Sequence, residues 1–168
     1  VKGAIGEYGV WIANIGGWLL VHLGVSWLYA RMPDRCFKAT KGMQGVRASA
    51  EPRAGEIRFY ESVLRIRCWK DKLPEAGGLF KDGFSKKSLR SSDPIYLDKF
   101  VLETRRGEQA HLAAMLSVPI FFLWNEMLPC VAMILYAAAA NLPFVAVQRY
   151  NRARLLRARQ LITNRGKG

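Results

Sequence analysis

Apolar positions along the chain fall in blocks, separated by stretches rich in charge. Residues 10–30 are 21 positions without a formal charge, and residues 127–148 are 22. A helix that crosses the hydrocarbon core of a bilayer needs ~20 such residues. A shorter run, 110–125, has 16 and is bracketed by Glu108 and Glu126, one for each membrane interface. The pattern predicts a mainly α, integral membrane protein. It is read as a single membrane domain over 1–168, with three transmembrane helices at about 10–30, 108–125 and 127–148. A polar segment, 31–107, separates the first two, and a tail, 149–168, follows the third.

The flanks of these blocks carry their own signals. Trp11, Trp27 and Tyr29 border the first run as interfacial anchors would, and Arg31 and Pro33 close it. The run is too long for a signal peptide, and no small-residue cleavage site follows. Residues 39–55 are rich in Gly, Ala, Lys and Arg and read as a loop. Residues 57–69 are ambiguous. Positions 64–68 alternate like a strand, whereas 56, 60, 63 and 67 share one helix face. In either form the segment has an apolar and a basic side, which suits a membrane surface. Residues 72–83 hold Pro74, Gly77, Gly78 and Gly83 and read as loop. Asp93-Pro94 then predicts a helix start, with Asp93 as cap and Pro94 at the first position.

Charge orients the chain. Of the 26 Lys and Arg against 13 Asp and Glu, 17 basic and 11 acidic residues lie in 33–109, and the tail 149–168 has seven basic residues and no acid. Basic segments stay in the cytoplasm. The expectation is a multi-pass protein of the plasma membrane, with the N-terminus outside, an interfacial middle segment inside and a basic C-terminal helix also inside. Anionic membrane lipids are the expected partners of that charge; no nucleic-acid motif accompanies it. Cys36, Cys68 and Cys130 have neither the number for a disulfide framework nor the spacing for a metal site. Three helices make a thin bundle, which points to a homo-oligomer or to contact with other enzymes of a pathway.

Two polar clusters interrupt the apolar pattern. In Glu103-Thr-Arg-Arg-Gly-Glu-Gln-Ala-His111, Glu108 and His111 are three apart and share a helix face, while Glu103, Gly107 and His111 form a neighbouring row. A carboxylate beside an imidazole orients the ring and raises its basicity, as a general base requires. The spacing is not that of a zinc protease, and no metal is expected. In the second cluster Asn141 sits within an apolar run just before Pro143. On a regular helix Asn141, Gln148 and Arg152 form one stripe, with Arg149 and Asn151 beside it. Buried amides in lipid demand partners. The antiparallel register of the second and third runs brings His111 and Asn141 to similar depth, which predicts a polar pocket under the inner headgroups. Arg149 and Arg152 are placed to bind phosphate or an oxyanion. Trp69 and Lys70 would cap the pocket. His22, in the middle of the first run, is either functional or hydrogen-bonded to a neighbouring helix. No nucleophile motif, phosphate loop or dinucleotide fingerprint is present, which favours direct transfer assisted by a base.

The order of these motifs resembles the glycosyl-4,4'-diaponeurosporenoate acyltransferases, small membrane enzymes of bacterial carotenoid biosynthesis. The resemblance rests on Arg31-Met-Pro-Asp-Arg-Cys-Phe37, on Trp69-Lys70 with Lys72-Leu73-Pro74, on the run from Glu103 to His111, and on Asn141-Leu-Pro143 followed by Gln148-Arg-Tyr-Asn-Arg152. The chain departs from the family pattern at Ala153, where proline is common, and at Cys68, where a basic residue is. What the resemblance implies is an O-acyl transfer to a lipid-linked sugar, from acyl-CoA as co-substrate and with no cofactor, the acceptor being a glycosylated carotenoid or similar glycolipid. On the residues' own chemistry, His111 would deprotonate the sugar hydroxyl. Glu108, with Glu103 as second choice, would orient it, and Asn141 with Arg149 or Arg152 would stabilise the oxyanion or hold the CoA phosphates. Two other readings fit the same polar constellation: a different lipid-modifying enzyme, such as a membrane methyltransferase, and a non-catalytic scaffold subunit.

Overall fold

The computed structural model describes residues 2–38, 55–73 and 93–165, and all regular structure among them is helical. The expected loops over 39–55 and 72–83 fall largely outside these residues. Helix α1 spans Lys2–Arg31, interrupted near its start where Gly6 takes φ 67 and ψ 168, a conformation open to glycine alone. It ends where the sequence predicts. Pro33 is extended, at φ −66 and ψ 149, and a single 3-10 turn follows over Asp34–Cys36.

The ambiguous segment resolves as helical. Gly55, at φ 89, admits the chain into α2, Glu56–Ser62. Arg65 adopts a left-handed φ of 47, and two 3-10 turns follow, Ile66–Cys68 and Lys70–Lys72. Together these form a cap. Its Tyr60 and its fully buried Ile66 pack on the fully buried Tyr150.

Helix α3, Pro94–Leu116, starts as the sequence predicts, with Asp93 Oδ1 accepting from the backbone N–H of Ile95 at 3.1 Å. It does not continue to residue 125. The hydroxyl of Ser117 donates to the carbonyl of Ala114 at 2.7 Å, and a 3-10 segment takes over at Val118–Leu123. Pro119 explains the break: it has no N–H for the helix ladder and disfavours an α conformation in the residue before it. The expectation of three spanning helices is therefore corrected: among the described residues two helices are long and apolar enough to cross a membrane, Tyr8–Arg31 and Met127–Asn164.

Helix α4, Met127–Arg165, joins the third expected span and the basic C-terminal helix into 39 residues, unbroken through Pro143. That is about 58 Å at ~1.5 Å per residue. Trp18 of α1 donates from its indole to Met133 Sδ at 3.2 Å, and Asn14 meets Asn125 just before α4. So α1 and α4 run in the same direction, and α3 with its 3-10 extension returns antiparallel between them. Near the N-terminal end of α4, Trp18, Val118, Phe121, Met133 and Ala137 form one buried cluster; toward its C-terminus, Leu97, Phe100, Val101 and Leu155 form another. Burying a side chain of the size of Phe121 contributes about 1.5–3 kcal/mol. The outward faces of α1 and α4 remain apolar and exposed, at Trp11, Ile12, Leu20, Leu128, Leu135 and Leu142 among others.

Candidate active site

The predicted meeting of His111 and Asn141 occurs between the two buried apolar clusters along α4. Asn141 is fully buried on α4. Its Nδ2 donates to the carbonyl of Ala137 at 2.9 Å, which turns Oδ1 toward His111 Nδ1 at 3.0 Å. With Oδ1 as acceptor, Nδ1 carries the hydrogen, and Nε2 is the basic nitrogen of the neutral ring. The imidazole also stacks on Phe144, with ring centres 4.7 Å apart and planes 13° from parallel. The hydrogen bond and the ring contact both orient the imidazole.

Glu108 lies about one turn before His111 on α3, and its partners are on α4. Arg149 Nε donates to Oε1 and Arg152 Nη1 to Oε2, each at 2.6 Å. Burial alone would raise the Glu108 pKa; the two guanidiniums, Arg152 foremost, outweigh it and hold the carboxyl below its ordinary range. Arg105 adds a third guanidinium, with Nη1 donating to the carbonyl of Phe37 at 3.3 Å. Burial, joined by repulsion from Arg152, lowers its pKa. Three guanidiniums against Glu108, with Glu56 also acting on Arg149, leave the cluster positive.

Gln148 is buried on the Asn141 stripe, and its Oε1 accepts no hydrogen bond among the described residues. Asn151 is half-buried beside it. Glu103 is also buried, but about 12 Å from His111 along α3 at ~1.5 Å per residue. It pairs with Arg106 at 2.9 Å and Lys99 at 3.2 Å. Both cations also reach Asp34, at 2.6 and 2.9 Å, so this network fastens the end of α1 to α3.

The cap sits over a different flank of α4. Between them runs an open apolar groove of about 410 Å³, lined by Tyr60, Leu64, Trp69, Leu142 and Ala146, with Arg149 at one end. Trp69 donates from its indole to the carbonyl of Leu64 at 2.9 Å, whereas Lys70 turns to its neighbour Asp71 at 2.6 Å. Arg149 therefore belongs to both places, bonded to Glu108 and bordering the groove.

Sequence reasoning missed Phe144, Arg105 and a triad that secures the cap. Tyr150 donates to Glu61 Oε1 at 2.8 Å and accepts from Arg67 Nε at 3.3 Å; Arg67 also pairs with Glu61 at 2.6 Å. Phe144 was readable as the residue three beyond Asn141, hence on a shared face. The Glu61–Tyr150 contact joins positions 89 apart and left no local signal. His22 stacks on Trp18 at 5.5 Å and faces the edge of Tyr136 at 6.3 Å. The three cysteines are free, and no group of residues able to hold a metal occurs among the described residues.

The family model described as glycosyl-4,4'-diaponeurosporenoate acyltransferase matches residues 36–161. Curated proteins of that name from Staphylococcus aureus strains N315, bovine RF122 / ET3-1 and USA300 are each 30% identical over 149 residues, which cover 89% of this chain and 87% of theirs. No solved structure matches.

Proposed function

The chain belongs to the glycosyl-4,4'-diaponeurosporenoate acyltransferase family and is an acyltransferase, and on that premise we propose that it carries a fatty acyl group from acyl-CoA to a sugar hydroxyl of a glycosylated carotenoid or similar glycolipid, with His111 as general base. The observation that carries the base assignment is the 3.0 Å bond from His111 Nδ1 to Asn141 Oδ1, which leaves Nε2 as the proton acceptor.

Nε2 takes the proton of the sugar hydroxyl as its oxygen attacks the thioester carbonyl. The tetrahedral oxyanion that forms is stabilised by the guanidiniums of Arg149 and Arg152. Its collapse breaks the C–S bond, and the leaving thiolate receives the proton from the imidazolium. Asn141 is a positioning residue for the ring, and Glu108 positions the two guanidiniums. The buried Oε1 of Gln148 is an acceptor for a second hydroxyl of the sugar.

The exposed apolar faces of α1 and α4 suit a lipid environment. Their parallel run places both basic ends on one side, which the positive-inside rule assigns to the cytoplasm. The polar cluster then lies at the inner interface, where a lipid-linked sugar and a water-soluble donor can meet.

Purified protein incubated with labelled acyl-CoA and glycolipid acceptors tests the reading. Wild type forms labelled glycolipid, and His111→Ala loses on the order of a hundredfold or more of the turnover. Undiminished turnover in His111→Ala at unchanged stability would overturn the assignment of the base.

A further inference from the structure

The apolar groove between the cap and α4 runs from the uncharged part of that helix to its charged part. Leu142 and Ala146 belong to the uncharged run 127–148, and Arg149 is the first residue after it. From Leu142 to Arg149 is about 10 Å at ~1.5 Å per residue. Leu64 and Trp69 of the cap form the opposite wall. The volume of about 410 Å³ stands near the lower end of the ~300–1,000 Å³ usual for small-molecule sites. That is room for one hydrocarbon chain rather than the two of a phospholipid.

Two donors stand at the charged end. The Arg149 side chain is 44% exposed and shares Glu108 with Arg152, so its charge is only partly met. Tyr60 is a buried residue that lines the groove, and its hydroxyl has no hydrogen-bond partner among the described residues. Burial raises the Tyr60 pKa, which keeps the hydroxyl neutral and able to donate; Arg149, Arg152 and Glu108 are near enough to act on it as well. A phenol in apolar surroundings calls for an acceptor. A carbonyl oxygen meets both groups, whereas a sugar hydroxyl finds no acceptor on a guanidinium.

The geometry points to this groove as the site of the donor's acyl chain, the chain lying along Leu142 and Ala146 and its thioester carbonyl accepting hydrogen bonds from Tyr60 and Arg149. The inference rests on an acyl thioester being the donor and adds where its chain binds. Arg149 is bonded to Glu108 at 2.6 Å, so the carbonyl end of the groove belongs to the same guanidinium pair that stabilises the oxyanion. Ala146, with the smallest side chain along the α4 wall, sets the room available to the chain.

The test uses the full chain in lipid nanodiscs with butanoyl-CoA and hexadecanoyl-CoA as donors. Ala146→Phe fills the groove. Leu142→Trp narrows it at a side chain already 49% exposed, away from the packed core. Tyr60→Phe keeps the ring that packs on Tyr150 and removes only the hydroxyl. The long-to-short ratio of kcat/KM within one variant does not depend on how much of the protein is folded. That ratio is expected to fall on the order of tenfold or more in Ala146→Phe and Leu142→Trp, since each methylene displaced from the groove is worth up to about fourfold. Tyr60→Phe is expected to lower kcat/KM on the order of tenfold for both donors and to leave their ratio as it is. A wild-type ratio in both groove variants overturns the inference while the acyl-CoA assignment stands. A raised acceptor KM with the donor ratio unmoved gives the groove to the acceptor's chain, and loss of copurified phosphatidylglycerol with the ratio unmoved gives it to a bilayer lipid; each overturns the inference. If wild type takes acyl groups only from a phosphopantetheinyl protein, the acyl-CoA assignment falls, and the same ratio measured on that donor decides the groove by itself.

Discussion

The Nδ1 of His111 lies 3.0 Å from the Oδ1 of Asn141, across the packed faces of α3 and α4. Asn141 has no room to swing away, being fully buried and tied to Ala137. Asn141→Ala removes the hydrogen bond at Nδ1 and keeps the stacking on Phe144. The proton acceptor is then misdirected for part of the time, and kcat falls on the order of a hundredfold while donor KM moves little. Steady-state kinetics read the split. A purely structural role for Asn141 would instead lower the melting temperature and leave the kcat of the folded fraction intact.

Glu108 is the shared anchor of Arg149 and Arg152, and Glu108→Gln removes the charge that neutralises them. Breaking a fully buried pair costs ~3–5 kcal/mol. Here the Arg149 side chain is 44% exposed and Arg152 21% exposed, so the expected loss is smaller, about 2 kcal/mol. A double-mutant cycle with Arg152→Gln measures the pair directly. Coupling of about 1 kcal/mol or more is expected, and none would mean that the two groups merely lie close.

How much of this was legible beforehand depends on whether the signal was local. The cap at Asp93, the end of α1 at Pro33 and the Asn141–Gln148–Arg152 stripe all follow from spacing within one helix, and the structure holds them as read. The pairing of His111 with Asn141 needed only the antiparallel register of two neighbouring helices. Glu108 was read as the orienter of His111 from its i, i+3 spacing. Its carboxylate instead accepts hydrogen bonds from two α4 arginines, a choice made by charge across the interface and invisible along α3. The break at Pro119 was written in the sequence, but the apolar run around it masked it: hydrophobicity counts residues, whereas a helix also needs its N–H donors.

Acid should loosen the two ends of the cap and helix pair before it affects the apolar core. Hydrogen bonding from Lys99 lowers the pKa of Asp34, and hydrogen bonding from the Tyr150 hydroxyl lowers that of Glu61. Each carboxyl binds its proton more readily when unfolded than when folded. The stability that these groups add is therefore fully present above the ordinary carboxylate range and is lost as pH falls through their lowered folded values. Melting temperature should hold steady from pH 7 to about 5 and decline below about 4. In Asp34→Asn the decline should be shallower; an identical pH profile in that variant would remove Asp34 from the account.

Gly17 of α1 faces the 3-10 segment that follows α3. A Cβ at this position would stand 2.9 Å from Cε1 of Phe121 and 3.3 Å from its Cζ. That ring cannot give way easily. Phe121 is fully buried, stacked on Trp18 at 4.5 Å and bordered by Trp124 at 5.4 Å. Trp124 is in turn held by its indole N–H, which donates to Asn14 Oδ1 at 2.8 Å. Alanine is the better helix former by ~1 kcal/mol, so on helix propensity alone Gly17→Ala would stabilise the protein. The clash acts in the opposite direction, and overpacking of this kind costs about 1–3 kcal/mol. Gly17→Ala is thus expected to be neutral to destabilising, and Gly17→Leu, which cannot be accommodated by a small shift, to separate α1 from the rest of the bundle. Gly16 and Gly24 have nothing within 4 Å of the same added atom, so alanine there should gain the helix propensity without the clash. A ranking of thermal stabilities with Gly16→Ala and Gly24→Ala at or above wild type and Gly17→Ala below both checks the packing of α1, and a Gly17→Ala protein as stable as the other two would show that α1 does not dock on Phe121.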